Sequence, residues 1–243
     1  MFKTFINAFK VKDVRRKIFY VLMMLVVIRL GSQMPVPGVN TSFFANYFAN
    51  NTNEAFSFLN AFTGGGFDRF SIFALSITPY ITSSIIIQLL TIAIPKLEEM
   101  QKDGEDGRKK INEYTRYLSI VLALVEGLAI VIGFRNQGFF TEAGYTSVII
   151  SVVALTAGAA FLMWLGEEIT EKGIGNGISM IIMAGIISSM PNMFKTAFSG
   201  FIGNSGNIMG IIMFALYVIV YLAIIIGIIY TIPYIVTIVI SGL

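Results

Sequence analysis

Apolar residues along this chain come in long blocks, and polar and charged residues are gathered at the joints between them. A bilayer's hydrocarbon core, about 30 Å thick, is crossed by a helix of roughly 20 apolar residues. By that measure the pattern predicts about six membrane-spanning helices, at residues 18–34, 70–94, 117–134, 147–165, 176–194 and 208–230, with apolar residues continuing to 243. No charged residue stands between Arg69 and Lys96, between Glu142 and Glu167, between Lys172 and Lys195, or after Lys195. The expected fold class is an all-α, polytopic transmembrane bundle forming a single membrane domain.

The joints carry the distinctive features. In "NEAFSFLNAF" (53–62), Phe56, Leu59 and Phe62 recur at helical spacing, in a segment too short to span. "TGGG" (63–66) follows, and Gly64, Gly65 and Gly66 permit a sharp change of direction because glycine carries no Cβ. The second apolar element is thus expected to be broken into a short half-helix, a hinge and a long helix. Broken helices at membrane depth line cavities or lie buried in protein; an external re-entrant loop with no transport role is the other reading. The preceding segment, 39–60, is expected to lie on the surface.

Within the second span, Pro79 is expected to loosen the helix by removing a backbone donor. Thr82, Ser83 and Gln88 either serve helix packing or line a wet path. Ile77 and Ile81 share a helix face by their spacing, as do Ile178 and Ile182. Glu126 falls in the middle of the third span, where a carboxylate is costly and normally faces the bundle interior. It is either an ion site or a group paired with a neighbouring helix. "GEEITEKGIGNG" (166–177) is expected to form a charged, glycine-rich turn with Asn176 capping the next helix. It has no preceding strand and no Lys-Ser/Thr ending, so it is not a phosphate-cradling loop.

Composition sharpens this picture. Of 243 residues, 56% are hydrophobic and 13% charged, with a mean hydropathy of +0.78, against about 25% charge in a soluble domain. The absence of cysteine and histidine excludes disulfides, thiol and imidazole chemistry and the usual zinc sites. With no carboxylate pair or nucleophile constellation, the chain is read as no enzyme, with no metal or other cofactor and no specific nucleic-acid site. Its basic start resembles a signal peptide, but the apolar run passes Arg29 into "GSQMPVPGVN" without a cleavage pattern, so a retained first helix is expected. Lys3, Lys10, Lys12, Arg15, Arg16 and Lys17 at the start, the basic residues of loop 96–114 (Arg108, Lys109 and Lys110 among them), Arg116 and Lys172 would share one side, against Arg69, Arg135 and Lys195 on the other. The basic side is cytoplasmic, which puts the N-terminus, and after six spans the C-terminus, inside. Loop 96–114 is either a solvated orienting loop or a docking surface.

Four stretches together resemble the N-terminal part of the SecY family, the main subunit of the bacterial protein-conducting channel: "RLGSQMPVPGVN" (29–40), "LNAFTGGGFDRFSIFALSITPYITSSIIIQLL" (59–90), "GEDGRKKINEYTRY" (104–117) and "FLMWLGEEITEKGIGNGISMII" (161–182). The resemblance implies that the half-helix is a plug, with Phe56, Leu59 and Phe62 on it and Gly64, Gly65 and Gly66 as its hinge. It implies that Ile77, Ile81, Ile178 and Ile182 belong to an apolar pore ring, and that Thr82, Ser83 and Gln88 lie on a lateral gate. The implied partners are membrane lipid, signal sequences and nascent polypeptides, SecE-like and SecG-like small subunits, a SecA motor ATPase and the ribosome, with Arg108, Lys109 and Lys110 on the cytoplasmic loop. The implied location is the bacterial inner (plasma) membrane, as a multi-pass protein. The family has ten spans and this chain about six, so the rest of a channel would come from a separate C-terminal half or a second copy. The resemblance covers about 1–205; the tail after it is unrecognised. A lipid-open groove acting as an insertion factor or chaperone, an inactive or engineered half-channel, and an ion-coupled transporter using Glu126 stand as alternatives.

Overall fold

A computed structural model describes residues 11–50, 54–135, 138–141, 144–203 and 208–241; side chains of 45, 48–58 and 232–243 fall outside the description. Among the described residues every regular element is helical: α1 (Lys12–Gly31), α2 (Thr41–Asn50), α3 (Glu54–Thr63), α4 (Thr78–Ala93), α5 (Pro95–Lys102), α6 (Gly104–Phe134), α7 (Tyr145–Lys172), α8 (Gly177–Ile202) and α9 (Ile208–Ser241). Isolated bridges pair Pro35 with Ser71 and Val39 with Phe140. Helices stand at all six expected spans. Four of them, α6, α7, α8 and α9, are long and apolar enough to cross a membrane alone, and α4 with α5 makes a fifth if that pair, bent by 103°, counts as one span. The chain divides into two compact units, Met1–Ser189 and Met190–Leu243.

In the first unit the helices pack through small residues. The buried positions of α6 include Thr115, Ser119, Ala123, Gly127 and Val131, and those of α8 are Gly177, Ile181, Gly185 and Ser189. Both sets step by four, which draws one stripe along the helix and lets backbones approach. Ser83 and Thr91 belong to the same kind of stripe on α4, with Pro79 and Ile87. In the second unit, Phe194 meets Tyr217 and Tyr221 edge-on, and Phe198 meets Phe214. The apolar side chains of α9, from Ile208 to Tyr230, are largely exposed, which marks an interaction surface rather than a solvated one.

Four expectations are corrected. The apolar run 70–94 is not one helix: residues 67–77 form consecutive turns, with Phe70 and Ser76 at positive φ (45° and 54°), and α4 starts only at Thr78. Phe70 is fully buried, stacked 4.8 Å from Phe44 and set edge-on to Phe139, and its carbonyl accepts from Val36 N–H at 3.0 Å. This burial holds the segment out of the helix. Pro79 therefore does not loosen a span; it occupies the first turn of α4, where its missing N–H would have no partner anyway. Segment 39–60 does not simply lie on the surface, since Phe44 of α2 is at the centre of that aromatic cluster, with Phe134 and Phe139 edge-on to it.

Fourth, the charged joints are helical rather than looped. "KLEEMQKDGEDGRKKINEY" is helical except at its bend, and Arg108, Lys109 and Lys110 ride on the first turns of α6 rather than in a loop. Gly104 makes that bend at φ +75°, and Gly107 lets α6 start against the Met100 carbonyl. Likewise Glu167, Glu168, Glu171 and Lys172 end α7 instead of forming a turn. Helical spacing then pairs Lys172 with Glu168 at 2.6 Å, and across helices Arg116 meets Glu167 at 2.7 Å. Arg116 is about half exposed, so Arg116→Ala should change stability by no more than about 1 kcal/mol, checked by thermal unfolding in lipid nanodiscs.

Candidate functional site

The glycine run does what a broken element requires. α3 ends at Thr63, and Gly64 and Gly65 follow at φ +64° and +84°, a region open to glycine at little cost. Gly66 contributes through closeness instead: a Cβ there would come 2.8 Å from the Ser71 hydroxyl oxygen. The reversed chain is tied by a reciprocal pair, in which Asn60 Nδ2 donates to the Asp68 carboxylate and Asp68 N–H donates to Asn60 Oδ1 at 3.2 Å. Burial pushes the Asp68 carboxyl above the ordinary range, while the Asn60 hydrogen bond and the charge of Arg69 act in the opposite direction. Leu59 and Phe62 are half-buried on α3; the side chain of Phe56 lies outside the described residues.

Below this turn the two isoleucine pairs converge. Ile77 belongs to an apolar cluster with Val21, Ile28, Phe73, Leu162 and Ile181, and Ile81, Ile178 and Ile182 pack against the same cluster. The first pair is not on one uninterrupted helix, because Ile77 is the N-cap of α4 and Ile81 stands in its first turn. They stay in register because the Ile77 carbonyl accepts from both Tyr80 and Ile81 N–H groups at 3.1 Å. The second pair begins α8, where Asn176 Oδ1 accepts from the N–H groups of Ile178 and Ser179 at 3.0 and 3.2 Å, the cap expected from the sequence. Gly166 of α7 makes room for the convergence: a Cβ there would lie 3.2 Å from Ile178 Cγ1 and 3.4 Å from Ile77 Cδ1. Ile77 is almost completely covered, whereas Ile81, Ile178 and Ile182 keep part of their surface open.

Thr82, Ser83 and Gln88 differ in burial. Ser83 is fully buried and donates to the Tyr80 carbonyl at 2.8 Å, Thr82 is half-buried, and Gln88 is exposed. Ser83 is thus enclosed in the bundle, while Gln88 is open. Glu126 is half-buried on α6, and among the described residues no acidic cluster of metal-binding size occurs.

Four more residues belong to this site, and for each the partner is not evident from the sequence. Arg29 donates through Nη1 to the Gly64 carbonyl at 3.1 Å. Ser189 donates to the Ala61 carbonyl at 3.3 Å. Gly185 makes room for the end of α3, where a Cβ would come 2.2 Å from Phe62 O, and Gly166 makes room for the isoleucine pairs. For Gly185 and Ser189 on α8, the small residues at i, i+8 and i+12 from Gly177, interrupted by Ile181 at i+4, are the available signal.

The SecY family model matches residues 71–242, which extends through the tail that the sequence motifs left unassigned. The protein translocase subunit SecY of Halalkalibacterium halodurans is 45% identical over 90% of this chain and 52% of its own length. That of Bacillus subtilis is 46% identical over 91% of this chain and 52% of its own. The chain thus spans about half the length of the curated relatives it matches. Among solved structures, one described as the structure of a protein conducting channel superposes with a TM-score of 0.54 at 22% identity, covering 80% of this chain and 39% of the other. At that identity the likeness concerns the fold.

Proposed function

The chain belongs to the SecY family, and from that premise we propose that it forms the plug-bearing half of a protein-conducting channel in the bacterial inner membrane. The observation that carries this reading is the convergence of Ile77, Ile81, Ile178 and Ile182 on one apolar cluster, beside a half-helix that ends in glycines. Branched apolar side chains around a narrow passage resist water and ions by dewetting, yet yield to a polypeptide. α3 closes the passage, and Gly64 and Gly65 are the joint on which it moves. Thr82 and Gln88 of α4 lie toward the lateral exit for signal sequences. The chain binds no cofactor and performs no chemistry; the work comes from a motor ATPase or the ribosome, docked at the basic start of α6 around Arg108, Lys109 and Lys110. Small membrane subunits and the remaining channel helices, from a separate C-terminal half or a second copy, cover the exposed face of α9.

Site-specific photocrosslinking tests this reading. A photoreactive residue at Ile81 and another at Ile178, presented with a stalled secretory chain in native membranes, should both capture that chain. Capture of lipid or of a second copy alone would leave the site as a lipid-open groove, the arrangement of an insertion factor. Deletion of 54–66 should leave crosslinking in place but raise ion leak, whereas Glu126→Gln should alter neither.

A further inference from the structure

We infer that Arg29 is the latch that holds α3 in its docked position. This deepens the plug reading, on which its functional consequence rests; the contact itself does not depend on it.

A helix ends with carbonyls that have no partner within the helix and with partial negative charge. At the end of α3, local N–H groups satisfy some of them: Asn60 O accepts from Gly65 at 3.0 Å, Ala61 O from Gly64 at 3.3 Å, and Thr63 O from Gly66 at 3.4 Å. Two donors come from other helices. Ser189 of α8 reaches Ala61 O, but it also donates to Ile186 O at 2.9 Å on its own helix. Arg29 of α1 reaches Gly64 O at 3.1 Å and is the charged donor of the two, and a charge-assisted hydrogen bond is about twice as strong as a neutral one.

The setting of Arg29 points the same way. Among the described residues it makes no ion pair with a carboxylate, and the charged side chain that acts on it, Arg69, repels it. A half-buried cation with no carboxylate beside it is costly; here its counterpart is the Gly64 carbonyl, just past the end of α3. Glycines make the fit. A Cβ on Gly64 would come 2.3 Å from Arg29 Nη1, and one on Gly185 would come 2.2 Å from Phe62 O. Between Arg29, Ser32, Thr63, Ser76 and Gly185 lies a cavity of about 20 Å³, room for about one water molecule. The end of α3 is therefore held by a few directed contacts across an imperfectly filled seat, which suits a part that must let go.

The test uses the cysteine-free background of the full chain. A single cysteine at Ser189, buried beside Ala61, reports docking through its rate of modification by a small thiosulfonate in proteoliposomes. Arg29→Met should raise that rate roughly tenfold or more, the consequence of losing one hydrogen bond from a charged donor. Arg29→Lys, which keeps a cationic donor, should stay near the parent rate. Gly185→Ala forces α3 off by contact and gives the rate of the released state. If Arg29→Met does not accumulate, Arg29→Gln takes its place. An unchanged rate in the Arg29 variant beside a raised rate in Gly185→Ala overturns the latch. A raised rate without ion leak upholds the latch and removes the plug reading instead.

Discussion

Gly158→Ala is expected to destabilise the protein by about 2–3 kcal/mol, the upper part of the range for forcing extra volume into a packed interior. A Cβ at Gly158 on α7 would stand 2.0 Å from the carbonyl oxygen of Ile72 and 2.8 Å from its carbonyl carbon. These are backbone atoms and cannot rotate away. Nor can the segment slide freely, because Ile72 N–H donates to Met34 O at 3.0 Å and the neighbouring Phe70 is locked among buried rings. Ile72 lies five residues before Ile77, so a displaced turn would also misplace the start of α4. Gly133→Ala is the control: it changes another helical glycine of the same unit, with nothing within 4 Å of the new Cβ. It should be neutral or stabilising by up to about 1 kcal/mol, since alanine favours helix over glycine. Thermal unfolding of both variants in nanodiscs, followed through Trp164 fluorescence, decides the matter; equal midpoints would show that the 67–77 segment gives way easily.

That segment also marks the limit of what the sequence made legible. Long apolar runs announce helices because a span must satisfy its backbone internally, and α6, α7, α8 and α9 lie where the runs lie. The same logic misassigns 70–77, where apolarity comes from burial rather than from lipid: Phe70, Ala74 and Leu75 pack with Phe44, Phe134 and Phe139, and Phe73 and Ile77 with the isoleucine cluster. Periodicity cannot tell those two apolar environments apart. The charged joints misled in the opposite sense: polarity suggested loops, yet α5, the start of α6 and the end of α7 are helices stabilised by spaced pairs such as Lys102 with Glu98. The cap at Asn176 and the turn at Gly64 and Gly65 were readable because each rests on local chemistry of a few adjacent residues. Arg29 was not, because its partner is the end of another helix 35 residues away.

Replacing Ile77, Ile81, Ile178 and Ile182 together by serine should raise ion conductance in planar bilayers from background to resolved single-channel steps. A hydroxyl at each position gives water a hydrogen-bonding wall, and a constriction that had dewetted becomes wet. The four positions are not expected to contribute equally. Ile77 is almost fully covered beneath α7, against Gly166 and the rest of the apolar cluster, so its replacement would act mainly as a core defect costing stability. Ile81, Ile178 and Ile182 retain open surface and should carry most of the leak. The triple variant that spares Ile77 should therefore conduct nearly as well as the quadruple one while unfolding at a higher temperature. If the triple variant is silent and only Ile77→Ser leaks, conductance comes from a loosened bundle rather than a wetted ring. If none leaks, the isoleucine cluster is the core of a half-bundle, and its likeness to a pore ring is one of descent alone.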